Sequence, residues 1–172
     1  MVDMKSALAY SCNCYFAALA DEIGAGKLAK TMRQVGMDAD SRFELETSRN
    51  SIYLAKGATE SELVETAIGQ GRTGVTPLYM AMLASAFAND GMMMKPYIVD
   101  HVVYPDGTET KNTVPEKLTE ICTAEEAAAI KDMMIGVVSG GTGTAAAING
   151  VTVAGKTGTA ENATGYDHSW FI

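Results

Sequence analysis

Apolar positions in the first third of the chain recur at helical spacing and stop at glycines. The pattern predicts helices over Asp3–Tyr10, Cys12–Glu22 and Lys27–Val35, with Gly24, Gly26 and Gly36 as stops. From Asp38 to Ser51 the pattern gives way to acids and arginines among small polar residues. This reads as a surface excursion, either packed over the helices or mobile. The clearest helix is Pro77–Asn89: Thr76 can cap it, Pro77 takes the tolerant first position, and Gly91 follows its end. Its interior is almost wholly apolar, which places it at the centre of a core. A further helix opens at Thr123, with Glu126 completing a capping box, and runs to about Val138. Between these two helices, Tyr97–Tyr104 is rich in β-branched and aromatic residues. Pro105-Asp106-Gly107 then turns the chain back through Thr108–Thr113. Val151–Thr159 and His168–Ile172 read as two more strands around a polar loop.

Composition narrows the function classes. The 172 residues are 47% hydrophobic and 20% charged, enough for one sizeable core, and nothing marks an internal linker or repeat. Thirteen Lys plus Arg against twenty-one Asp plus Glu give a net charge of -8, which argues against nucleic acid or an anionic bilayer as partner. No apolar run reaches membrane-spanning length, and Met1-Val2-Asp3-Met4-Lys5 lacks the pattern of a signal peptide. Cys12, Cys14 and Cys122 form no disulfide framework and have no partner ligands at metal-site spacing. They read as small buried hydrophobes, and no metal is expected. The eleven methionines, Met92-Met93-Met94 among them, read as core filler.

Two short segments could carry chemistry. Lys156-Thr157-Gly158-Thr159-Ala160 sets a fixed positive charge, a hydroxyl and a side-chain-free position on a predicted strand, a combination suited to an anionic, peptide-like ligand. The blander reading is a solvated strand end. Ser11-Cys12-Asn13 lies at a helix junction, where the hydroxyl can relay a proton and the carboxamide can hold an amide. Its blander reading is an ordinary helix cap. Ser139–Thr144 is glycine-rich but lacks the Lys-Ser/Thr of a phosphate loop and reads as a helix-to-strand connection. His168 reads as a strand residue near the cleft rather than a general base.

Taken together, the two segments resemble a Ser-x-Asn and Lys-Thr-Gly pair. The resemblance is to the transpeptidase domain of class B penicillin-binding proteins, within the serine D,D-transpeptidase and β-lactamase-like superfamily, and it extends over nearly the whole chain. Ala7–Asn13 with Phe16 resembles the second motif and its flanks. Ile68-Gly69-Gln70-Gly71, Val75–Leu78 and Ala88–Gly91 resemble the signature loop and helix. Ala154–Glu161 resembles the third motif, and His168–Phe171 the next strand. The resemblance implies an acyl-enzyme formed from D-alanyl-D-alanine or a β-lactam, the acyl group then passing to a stem-peptide amine to cross-link peptidoglycan. It implies that Ser11 relays a proton, Asn13 holds the substrate amide, Lys156 sets the field, Thr157 binds the terminal carboxylate and Gly158 leaves room. The N–H of Thr159 becomes one oxyanion donor. It implies no metal, nucleotide or redox cofactor, and an extracytoplasmic, membrane-anchored parent protein.

The attacking serine of the resembled family stands in Ser-x-x-Lys, and no lysine here has a serine three residues before it. Residues 1–172 therefore read as part of a transpeptidase domain, without the nucleophile region and the closing strand and helix. The expected fold is mainly helical α+β: the helical subdomain plus part of an antiparallel sheet. Its terminal hairpin is expected to be frayed, repacked on its own helices, or paired with another copy through exposed strand edges. Activity is expected of the parent and not of this chain alone. Alternatives are a β-lactam sensor domain of the same fold and an inactive structural relative.

Overall fold

The computed structural model describes residues 2–54 and 57–172. Helices α1 (Met4–Ala9), α2 (Asn13–Ile23) and α3 (Ala25–Gln34) follow one another closely. Asp3 caps α1 by accepting from the Ser6 N–H at 2.8 Å. Gly24 separates α2 from α3, as expected, but Gly26 lies inside the first turn of α3 instead of stopping a helix. Helix α4 (Glu60–Ala67) was not expected from the apolar pattern, although Thr59 and Glu62 form a complete capping box at its start. Helix α5 (Pro77–Ala88) and helix α6 (Ala124–Gly140) stand where their caps predict them, Thr76 and Thr123 accepting from Tyr79 N and Glu126 N.

The strands form three two-stranded antiparallel sheets among the described residues. β1 (Met92–Met94) pairs with β4 (Lys117–Glu120), and β2 (His101–Val103) with β3 (Glu109–Asn112). β5 (Thr157–Ala160) pairs with β6 (His168–Phe171). Two strand expectations need correction, and one strand forms where only core filler was expected. Met92–Met94 is a strand whose Met93 is buried to 1% exposure, so it is core and ladder at once. The predicted strand over Tyr97–Tyr104 shrinks to β2, whose residues are all exposed and have no core to bury against. The predicted strand from Val151 begins only at Thr157. Val151 instead closes a tight bridge with Ile148, and Gly155 hangs from α6 through its N–H to Met134 O at 3.3 Å. The cysteine reading also fails in part, because Cys14 is exposed and only Cys12 and Cys122 are half-buried.

Two buried clusters hold the helices. Ala20, Ala29, Leu54 and Leu63 join α2, α3 and α4, while Tyr79, Met82, Ala86 and Met93 join α5 to β1. The acidic excursion packs over the second cluster and encloses a cavity of about 340 Å³ floored by Tyr79, Met82, Met93 and Leu118. It is tied down by the Glu44 carboxylate, which accepts from the N–H groups of Ile98 and Val99, and by Asn50, which accepts from Thr76 N. The two strands of the terminal hairpin pair with each other along their whole length, and the segment that leads into β5 is tied to α6 through Gly155. The Phe171 ring lies so close to Gly155 that a Cβ there would stand 2.4 Å from its Cζ.

Candidate active site

Ser11 owes its position to the way α1 ends. The Ser11 N–H reaches Leu8 O and the Cys12 N–H reaches Ala7 O, the paired bonds of a Schellman termination, with Ser11 in the left-handed position usually held by glycine. Its φ is 53°, an uncommon value for a residue with a Cβ. Ser11 is solvent-exposed, and the helix-cap reading fails: Cys12 is the N-cap of α2, with no side-chain cap bond, and Asn13 opens the helix as an exposed residue.

Lys156 reaches this serine from the far end of the chain. Its Nζ donates to Ser11 Oγ at 3.0 Å, across 145 positions of sequence, and to Thr157 O at 2.7 Å. Partial burial pulls its pKa below the usual lysine value, since desolvation disfavours the charged form. Thr157 lies beside it, its Oγ1 2.6 Å from Thr142 Oγ1. Thr142 itself donates its N–H to Ala9 O at 3.0 Å, so one residue of the glycine-rich connection touches both Thr157 and the end of α1, two residues before Ser11.

The register of the hairpin fixes which backbone groups face outward. Lys156 and Ile172 exchange both N–H···O bonds, at 2.9 and 3.1 Å. Bonded and non-bonded pairs alternate in an antiparallel ladder, so Gly158 and Ala160 turn toward β6 while Thr157 and Thr159 turn their N–H and C=O to the other edge. Among the described residues that edge carries no strand. A Cβ on Gly158 would stand 3.2 Å from the Trp170 Cβ, so the space beside this glycine belongs to Trp170. His168 lies exposed on β6 opposite Ala160.

Two participants escaped the sequence reading. Thr142 sits in a segment that reads as a plain connection. Gln70 sends its side chain to β5, donating to Thr159 O at 3.0 Å and accepting from Glu161 N at 3.1 Å. The glycines flanking Gln70 signal a shaped loop, but nothing local names its partner.

A lysine leading into an antiparallel hairpin is thus bonded to a serine at a helix junction of a helical subdomain, although the two lie 145 positions apart in sequence. The family model for the penicillin-binding protein transpeptidase domain matches residues 1–172, and the chain belongs to that family. It is 35% identical over 182 residues to the peptidoglycan D,D-transpeptidase PbpA of Mycolicibacterium smegmatis, covering 99% of this chain and 35% of the relative. Penicillin-binding protein 3 of Bacillus subtilis is 32% identical, with 99% and 26% covered. Among solved structures, the D,D-transpeptidase domain of a peptidoglycan glycosyltransferase from Eggerthella lenta aligns with a TM-score of 0.90 at 36% identity, over 99% of this chain and 44% of that one. Penicillin-binding protein A of Mycobacterium tuberculosis, solved as an imipenem acyl-enzyme complex, aligns with a TM-score of 0.90 at 31% identity, over 99% and 39%. The chain thus spans about a quarter to a third of these curated relatives. Among the described residues no helix is long and apolar enough to cross a membrane.

Proposed function

We propose that this chain supplies the Ser-x-Asn and Lys-Thr-Gly elements of a D,D-transpeptidase site that recognises the D-alanyl-D-alanine end of a peptidoglycan stem peptide and the β-lactams that imitate it. The contact that carries the reading is the 3.0 Å bond from Lys156 to Ser11, which brings the two motifs to one point. Lys156 supplies positive charge where the ligand's carboxylate arrives, and Ser11 passes a proton toward the leaving amine. Asn13 holds the substrate amide. Thr157 binds the terminal carboxylate, and Gly158 presents only backbone between the two outward residues. The N–H of Thr159, on the open edge, is one oxyanion donor. The names of the relatives as peptidoglycan transpeptidases support a parent protein on the extracytoplasmic face, anchored to the membrane.

The attacking serine belongs to no Ser-x-x-Lys within these 172 residues, so the chain binds ligand without reacting with it. Titration with N-acetyl-D-alanyl-D-alanine should move the backbone amide resonances of Thr157 and Thr159, and Lys156→Ala should abolish the effect. Unmoved resonances at both residues would sink the reading. Intact mass after incubation with benzylpenicillin should be unchanged, and an increment equal to one penicillin would overturn the assignment of the chain as non-acylating.

A further inference from the structure

Helix α4 ends in a second Schellman arrangement: the Gly69 N–H reaches Thr66 O and the Gln70 N–H reaches Glu65 O at 2.8 Å. Gly69 takes the left-handed position with φ +80°, which a side chain would strain. The chain is thereby turned so that Gln70, the next residue, reaches β5 from 89 positions away. Its carboxamide occupies two backbone groups of that strand's open edge at once, Thr159 O and Glu161 N. Those are groups that a neighbouring strand would otherwise take. A carbonyl has two lone pairs, so Thr159 O can still accept from a ligand, whereas Glu161 N–H carries a single proton and is already committed.

We propose that Gln70 is a specificity-determining residue that ends the peptide-pairing edge of β5 after Thr159, limiting backbone recognition to the last two residues of an extended peptide ligand. This rests on the reading above, in which the ligand's terminal carboxylate lies at Thr157 and its reacting carbonyl at Thr159 N–H. The remainder of the ligand then runs antiparallel toward Glu161. The next ligand carbonyl in ladder register stands two residues further upstream and faces an N–H that Gln70 already holds. The site therefore reads a short dipeptide end and gains nothing from the backbone beyond it.

Two probes separate the cases: N-acetyl-D-alanyl-D-alanine, and N-acetylglycyl-D-alanyl-D-alanine, whose acetyl carbonyl adds the group that would stand opposite Glu161 without adding a side chain. Binding to the full chain is followed by backbone amide shifts. The native chain should bind both peptides within about twofold, with the Glu161 resonance unmoved by either. In Gln70→Ala the Glu161 N–H is released, and one added hydrogen bond should make the longer peptide bind about three- to tenfold tighter, with the Glu161 resonance now shifting. Gln70→Met, which keeps the chain length and neither polar group, releases the same N–H and repeats the test if the alanine variant does not fold. Gln70→Glu retains an acceptor for Glu161 and should show no length preference. Equal affinities for the two peptides in the alanine and methionine variants, or a length preference already present in the native chain, would overturn the proposal while leaving the active-site reading intact. Absence of any shift at Thr157 and Thr159 with both peptides would overturn that reading and this inference with it.

Discussion

Ser11 is the residue at which local preference and chemistry disagree. The Schellman end of α1 asks for glycine, and the chain places there a serine with φ 53° whose hydroxyl meets Lys156. A Cβ in the left-handed region costs about 1–2 kcal/mol, a cost that is retained where the surroundings hold the residue in place. Two substitutions isolate the strain, because Ser11→Ala and Ser11→Gly both remove the hydroxyl while only the second removes the Cβ. Ser11→Gly should be more stable than Ser11→Ala by about 1 kcal/mol in the midpoint of chemical denaturation. Equal midpoints would mean that the turn relaxes without cost. Gln70 and Thr142 are different cases: their own backbones are set locally, yet their side chains acquire meaning only from β5.

At the scale of elements, α6 holds the segment that leads into the hairpin. Its Met134 carbonyl accepts from Gly155, and its Val137 carbonyl accepts from Gly141 and Gly143. The start of α6 is set by Thr123 and Glu126, each side chain bonding the other's backbone N–H. The hydrogen bonds from Thr123 hold the Glu126 carboxyl below its ordinary pKa of 4.5. A depressed carboxylate stabilises the fold above the unfolded-state pKa, and the gain is lost as pH falls through the lower folded value. Glu126→Gln should therefore flatten the acid limb of the stability curve below about pH 4.5, and Thr123→Ala should cost about 1 kcal/mol at neutral pH. Denaturant midpoints measured from pH 3 to pH 7 check both. An unchanged acid limb in Glu126→Gln would show that the box is not formed in solution. The same contrast explains what was legible in the sequence. Helices α5 and α6 could be read because Thr76, Pro77, Thr123 and Glu126 sit beside the turns they cap. The β1–β4 pair could not, since Met92–Met94 finds its partner only after the β2–β3 hairpin has intervened. Ser11 and Lys156 could be picked out as motif residues, but their hydrogen bond depends on how α1 packs against α6, which no local pattern encodes.

At the scale of the molecule, the site is assembled across one seam. Ser11 belongs to the α1–α2 junction and Lys156 to the segment leading into the hairpin, which α6 holds, so their distance is set by how closely α1 lies on α6. That seam is built from small and medium residues, with Ala7, Ala9, Ala127, Met134 and Val137 all buried. Gly141 closes it: a Cβ there would stand 2.2 Å from Ala9 O, a backbone atom that cannot move aside without moving α1. The exposed ion pair of Lys5 with Asp132, at 2.7 Å, spans the same seam but contributes little in solvent. Gly24 offers a contrasting perturbation. Its φ of 79° and ψ of 152° are glycine-only backbone, yet no atom lies within 4 Å of a Cβ built on it. Gly24→Ala and Gly141→Ala should each cost about 1–3 kcal/mol, the first through backbone strain and the second through overpacking. Their effects on the site should differ. In Gly24→Ala the Lys156 side chain should stay partly desolvated and titrate below its ordinary 10.5, as in the native chain. In Gly141→Ala the seam opens, Lys156 loses Ser11 and gains water, and its titration should move back up toward 10.5. Side-chain NMR of the Lys156 ammonium across alkaline pH separates the two variants. Identical titration in both would mean that the hairpin, and not the seam, holds Lys156 in place.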